Sequence, residues 1–473
     1  MQKNFLYSFL RGDILLPIIV IVMSSALGIL VTVNLKAVVV LLCLLLLLVI
    51  LRYFGIIGIL YVYALFWWIP VGVGSFITAD LLGGYIAELA VLEILAYGGA
   101  FIVWLSRLLA NRKFHEMRFQ PDLVWVFLIL MLVGGLIAST EITKIMGFVM
   151  FRRSTFFFAA MIFLCANTLK NKDVILRVLF FLLIGGCLFL GFVLVARLLP
   201  GVLFMDASWI NSTRLGGNYA IPLLGTYYFG PNNLGLIAGM QIALATSLLF
   251  LETTLLRRLI VSVALIGNIV ILFSSGSRGG LISTGIVVIF MLFCFLRMRK
   301  KNGTLILLLV VGIGMALILP AFVTTEISER FQSLTSISGL ENDSSVKVRL
   351  ELFKKVLEIF WDKPFGIGYA MFVTRTDNFI LWEQNLFLNT LMGGGFLGFI
   401  GLSGFFILLF GRGTIKFIMT STQDRLFLLA LLSPSLVFFI NTLASDPNSE
   451  TSIFLSWLIL GVSYAGVLLP RAK

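Results

Sequence analysis

Apolar side chains run through this chain in blocks far longer than a soluble helix or strand needs. Val38–Ile50 carries no polar side chain at all. A bilayer core takes roughly 20 apolar residues per helix. Cutting the runs at charges, glycines and prolines predicts spans near 14–33, 37–54, 56–74, 85–106, 122–139, 145–168, 174–199, 231–251, 259–275, 280–296, 304–322, 385–410, 426–444 and 451–469. The expected fold is therefore an all-α polytopic membrane protein with about 14 transmembrane helices, 12 at the low end. One segment breaks the pattern. From about Thr324 to Trp382 the chain is polar enough to lie outside the bilayer, and Ser344–Phe360 within it alternates at helical spacing. Val346, Leu350, Phe353, Leu357 and Phe360 form an expected apolar stripe, with Lys347, Lys354, Lys355 and Glu358 on the other side. A serine, Ser344 or Ser345, starts that amphipathic helix, and Pro364 with Gly366 and Gly368 ends it. Four regions follow: N-terminal helices over 1–200, a loop-and-helix region over 201–322, the outer segment over 323–384, and C-terminal helices over 385–473.

Composition agrees. The 473 residues are 60% hydrophobic and only 12% charged, with a mean hydropathy of +1.08. Soluble chains carry about 25% charged residues, so a soluble enzyme and a disordered chain are both excluded. The net charge of +13 would suggest nucleic acid in a soluble protein. In a membrane protein it reads instead as basic cytoplasmic loops. With both termini inside, 21 of the 35 basic residues fall on the inner side, in short loops such as Asn111–Arg118, Lys170–Arg177 and Arg297–Lys301. That orientation predicts a cytoplasmic-membrane protein with cytoplasmic termini, and the leading apolar run reads as an uncleaved first helix. Cys43, Cys165, Cys187 and Cys294 all sit in apolar runs and read as core residues, with no metal-ligand spacing.

Several basic residues break the rule. Arg152, Arg153, Arg197, Arg214 and Arg278 lie at or near outer helix ends, and no lysine is among them. Arginine near the bilayer is costly and marks a functional site by default. Its planar fork suits bidentate contacts with phosphate, where lysine acts as a point charge. Snorkelling to the headgroups is the competing explanation for any one of them. As a group they point to an anionic, phosphorylated ligand on the outer side.

Three stretches carry candidate chemistry. Phe273–Ser283 reads FSSGSRGGLIS and opens an outward-facing helix start, where Ser277, Gly279 and Gly280 are placed to present N–H groups beside Arg278. Arg214–Gly235 reads RLGGNYAIPLLGTYYFGPNNLG, an outer loop entering a span at Pro231, with Asn232 and Asn233 in the first turn. An aromatic interfacial loop explains this stretch equally well. Trp382–Gly398 reads WEQNLFLNTLMGGGFLG, the entry from the outer segment into the next span.

Taken in order, the R…G…PNN loop, SGSRGG, the R…PFGIGYAMF segment that contains Arg349, and the N-x-F-L…G…G entry resemble the O-antigen ligase and Wzy-type polysaccharide polymerase superfamily. The likeness covers about Arg214–Phe399. It implies glycosyl transfer on the outer face from an undecaprenyl-pyrophosphate-linked oligosaccharide, with arginines holding the pyrophosphate and no metal or other cofactor. Carried over by motif, Arg214, Arg278 and Arg349 bind the pyrophosphate, and Ser277, Gly279, Asn232 and Asn385 support the site. Family ligases place a histidine just before the motif asparagine. Here Gln384 stands there, with Glu383 before it, and the single His115 sits among inner basic residues. Glu383 and Gln384 are therefore the catalytic candidates, and the missing histidine favours a polymerase over a ligase. Asp206, Asp377, Asp446 and Glu450 are other outer carboxylates able to serve as base. Expected partners are the lipid-linked glycan and membrane lipid, with a chain-length regulator as a further candidate and no nucleic acid. A lipid-linked oligosaccharide flippase, with Glu88 and Glu93 in a span, is the rival from another class.

Overall fold

A computed structural model describes residues 55–68, 96–103, 122–139, 155–198, 217–221, 225–251, 254–298, 344–368, 373–376, 379–382, 385–443 and 450–470. Helices dominate, and their bounds follow the apolar runs: α1 (Ile56–Phe66), α2 (Leu123–Ser139), α3 (Phe157–Thr168), α4 (Lys172–Leu198), α5 (Pro231–Leu251), α6 (Leu255–Ser275), α7 (Arg278–Arg297), α8 (Ser344–Asp362), α9 (Leu386–Met419), α10 (Thr422–Thr442) and α11 (Glu450–Leu468). Among the described residues, six helices are long and apolar enough to cross a membrane, α4 to α7, α9 and α10. Four shorter apolar stretches lie over Ile56–Phe66, Leu123–Ala138, Phe157–Thr168 and Ser452–Leu468. This is a multi-pass membrane protein. The expected spans at 14–33, 37–54 and 304–322, and most of that at 85–106, fall outside the described residues.

The all-α expectation needs one correction. Gly217–Ile221 (β1) pairs antiparallel with Gly225–Phe229 (β2), and Val373–Thr376 (β3) with Phe379–Trp382 (β4). Both hairpins stand where the hydropathy pattern predicts only loop. Alternation over four or five residues is too short a signal to separate a strand from an aromatic loop.

Helix α5 is the hub, buried along almost its whole length. Small residues let its neighbours in. A Cβ on Gly280 of α7 would stand 2.8 Å from the Gly235 backbone, and one on Gly235 would stand 2.7 Å from Ser277 Oγ. Gly239 makes the same kind of approach to Thr284 one turn deeper. Small residues four apart on each helix make a close-packing seam, which apolar spans need because lipid competes equally for larger side chains. A second seam joins α2 to α9, where Gly134 lies against Gly394 and Gly398, and Gly401 against Met131.

Helix α9 is broken. Gly395 has φ 62° and ψ −160°, a region open essentially to glycine alone. The break frees one carbonyl and one N–H, and the turn after α8 takes both. Ile367 N–H donates to Met392 O at 2.8 Å, and Phe396 N–H donates to Pro364 O at 2.9 Å. Gly366, at φ 88°, leaves room for this contact, since a Cβ there would stand 2.6 Å from Gly395 N.

The end of the bundle that carries the starts of α4, α6 and α10 is the basic one. Arg412 donates to Asp122 Oδ2 at 2.6 Å, and Tyr464 O–H donates to the same oxygen at 2.6 Å. This ties α2, α9 and α11 together. Burial pushes the Asp122 carboxyl up, but the hydrogen bonds from Arg412 and Tyr464 outweigh it and hold it below the usual carboxylate range. Lys416 caps the end of α11 through Gly466 O, Val467 O and Leu469 O. Lys172 pairs with Asp424 at 2.8 Å. Arg412→Ala should lower stability by about 2 kcal/mol, since a hydrogen bond to a charged group contributes roughly 1.5–3 kcal/mol. Thermal unfolding in detergent checks this. A folded-state carboxyl held low contributes stability above its unfolded value that vanishes as pH falls. The gap between Arg412→Ala and the native protein should therefore persist at neutral pH and close under acid.

Candidate functional site

At the opposite end the starts of α5, α7, α9 and α11 meet the end of α10. Gly276, in the left-handed region at φ 59°, closes α6, and its N–H bonds Phe273 O. Ser277 then caps α7 within one residue. Its Oγ accepts from Gly280 N–H at 3.2 Å, while Ser277 N–H donates to Ser275 Oγ at 3.2 Å. This corrects the expectation that Ser277 and Gly280 present free N–H groups, because the cap takes both. Arg278 and Gly279 are the other residues of that first turn. Arg278 is half-buried and is the first helical residue of α7. A helix start and a guanidinium favour the same partner, an anion.

The start of α5 lies against this turn through Gly235. Asn232 is half-buried on the first turn, and Asn233 is buried, its Oδ1 accepting from Ser452 Oγ of α11 at 3.4 Å. Asn441, near the end of α10, completes the wall. Its Nδ2 lies 3.4 Å from where a Gly279 Cβ would stand, and it approaches Ser283 Oγ at 3.5 Å. Asn441 is missed by the sequence reading, which takes it as the tail of an apolar span. The available signal is an amide inside that run.

Asn385 stands at the start of α9. Its Oδ1 accepts from Phe387 and Leu388 N–H, capping α9, and its Nδ2 donates to Leu443 O at 2.6 Å. It fixes the start of α9 to the end of α10. What precedes it is Glu383 and Gln384, and these, like Arg214, lie outside the described residues. Arg349 is half-buried on α8, which packs on α9. The structure thus gathers Arg278, Ser277, Gly279 and Asn232 at one crossing. Asn385 joins them through α10, and Arg349 stands on a separate element.

The stretch that builds this end of α7, the α8 turn and the broken start of α9 is where the comparison with known proteins falls. Residues 261–403 match the O-antigen ligase family. The matched segment runs from within α6 past the Gly395 break, so it holds SGSRGG, α8 and the N-x-F-L entry. The R…PNN loop, with Arg214, precedes it. No curated protein matches the chain. The described residues hold no cluster of three or more histidine, cysteine or acidic side chains suited to a metal ion.

Proposed function

We propose that this protein is a glycosyltransferase of the polysaccharide polymerase type, joining undecaprenyl-pyrophosphate-linked glycan repeats on the outer face of the cytoplasmic membrane. The observation that carries this reading is Arg278, seated on the first turn of α7 where the Gly235–Gly280 crossing brings α5 against it. The match to the O-antigen ligase family over the same segment supports it. Orientation is supported by charge. Lys172, Arg257, Arg258, Arg297, Lys416 and Arg425 lie toward the other end of the bundle, which the positive-inside rule makes cytoplasmic.

In this account the acceptor hydroxyl oxygen attacks the anomeric carbon of the donor sugar, and the bond from that carbon to the pyrophosphate oxygen breaks. Arg278, with Arg214 and Arg349 as further ligands, faces the charge that develops on the leaving polyprenyl pyrophosphate, the place where fixed cationic donors act most strongly. Ser277 and Gly279 shape the turn that carries Arg278, and Asn232 lines the adjoining start of α5. Glu383 takes the proton of the acceptor hydroxyl. Gln384, in the place of the family histidine, orients the acceptor. No metal is needed where guanidinium groups carry the charge. A regulator of chain length is the expected partner.

A lipid-linked repeat incubated alone with purified protein separates the readings. A polymerase yields a ladder, because donor and acceptor are the same species, whereas a ligase needs a different acceptor and a flippase yields no new bond. In that assay Glu383→Gln should lower the elongation rate by about 10²-fold or more, the usual worth of a general base. Gln384→Ala should cost about 0.5–1.5 kcal/mol, one hydrogen bond. Near-native turnover in Glu383→Gln would remove Glu383 from the mechanism.

A further inference from the structure

The amphipathic helix α8 does not pack as its sequence pattern suggests. Its buried edge is Leu352 and Val356, with Ile359 and Phe360, set against Leu388, Leu391, Met392 and Phe399 of α9. Leu350 and Phe353, two members of the expected stripe, face away and are 58% and 44% exposed. Trp361, on the same outward strip, is 79% exposed. At 100° per residue, Leu350, Phe353, Leu357 and Trp361 fall within one third of the helix circumference. Lys347, Glu351, Lys354, Glu358 and Asp362 fill another third, and the α9 contact fills the last. So α8 carries three faces, and one is a row of large apolar side chains that no described helix packs against, with Leu350, Phe353 and Trp361 exposed and Leu357 half-buried.

That row continues beyond the helix. Phe365 in the following turn is 59% exposed, and Phe396 of α9, whose N–H bonds Pro364 O in the same turn, is 51% exposed. Phe396 begins the unbroken part of α9, whose outward side chains Ile407, Ile415 and Ile418 are those of a membrane span. The apolar side of α8 is therefore continuous with a lipid-facing surface. Charge points the same way, since residues 344–363 hold five basic side chains against three acidic ones. We infer that α8 lies in the headgroup boundary of the leaflet at this end of the bundle. Leu350, Phe353, Leu357, Trp361 and Phe365 enter the acyl region, and Lys347 and Lys354 face anionic headgroups. Such a helix binds through buried apolar area plus attraction to anionic lipid. The hydrogen-bonded clip at Gly395 fixes its depth relative to α9. This inference rests on the packing of α8 and not on the proposed chemistry.

The test uses the full chain, with its four cysteines replaced by alanine, in vesicles of phosphatidylethanolamine and phosphatidylglycerol. Nitroxide labels are placed through Leu350→Cys, Phe353→Cys, Leu357→Cys and Trp361→Cys, and through Lys347→Cys, Lys354→Cys and Glu358→Cys. We expect oxygen to relax the first four preferentially and a water-soluble nickel chelate the last three. Access of the chelate to all seven would place α8 in water and overturn the inference. Exclusion of both reagents from positions 350, 353 and 361 would mean that protein covers the face, which overturns it equally. A second measurement keeps the native cysteines. The fluorescence lost in Trp361→Phe should be blue-shifted and quenched by lipids brominated near the headgroup end of the acyl chain. An unquenched, water-like difference spectrum would contradict the inference.

Discussion

Arg278→Lys should lose about 10²-fold in turnover although the charge is kept. The side chain sits on the first turn of α7, where the Ser277 cap and the Gly235–Gly280 crossing fix the backbone that carries it. A pyrophosphate leaving group offers paired oxygens, and only the guanidinium fork meets two of them at once. Loss of one well-placed donor to developing negative charge typically costs on the order of 10²–10³ in rate. Arg278→Ala should fall at least as far. Lys354→Ala, on the polar face of α8, should stay within about twofold, because exposed charges contribute little. Elongation rates on a lipid-linked repeat, at matched expression, check all three. Full activity in Arg278→Lys would place the pyrophosphate elsewhere.

Gly395→Ala should be the most damaging structural change. The position holds φ 62° with ψ −160°, which costs a side chain about 1–3 kcal/mol. The added Cβ would also meet the Phe365 backbone, with its carbonyl oxygen at 2.5 Å. Backbone cannot swing aside as a flexible side chain can, so the Pro364–Gly368 turn must lift. Two hydrogen bonds then go, each contributing roughly 0.5–1.5 kcal/mol. We expect a combined loss of about 3 kcal/mol, faster proteolysis at Lys363–Gly368, and loss of exchange protection at the Ile367 and Phe396 amides. Unchanged protection at both amides would show that the break tolerates a side chain.

What the sequence discloses here depends on whether the signal is local. Pro231, Ser277 and Gly276 act on their own turn, so the starts of α5 and α7 are readable from the chain alone. Apolar run length is local as well, and the described helices alternate between the two ends as the runs predict. The Gly395 break is hidden because MGGGFLG is as apolar as any span, and the turn that fills the break lies about 30 residues earlier. The buried edge of α8 differs from the expected stripe for a related reason. Apolar residues cover two thirds of that helix, and only the docking of Leu352 and Val356 on α9 decides which third is buried. Asn441 is similar, since nothing in FFINT tells which helix start its amide will meet.

If Arg278 and its neighbours form the donor site, this end of the bundle breaks a bond to polyprenyl pyrophosphate. The decisive quantity is free undecaprenyl pyrophosphate released from the lipid-linked repeat by purified protein. The measurement is made in detergent with a chelator present, where no gradient or second compartment exists. Release should rise together with elongated glycan for the native chain and fall about 10²-fold in Arg278→Lys. No release by the native chain, with the lipid-linked repeat recovered intact, would contradict it.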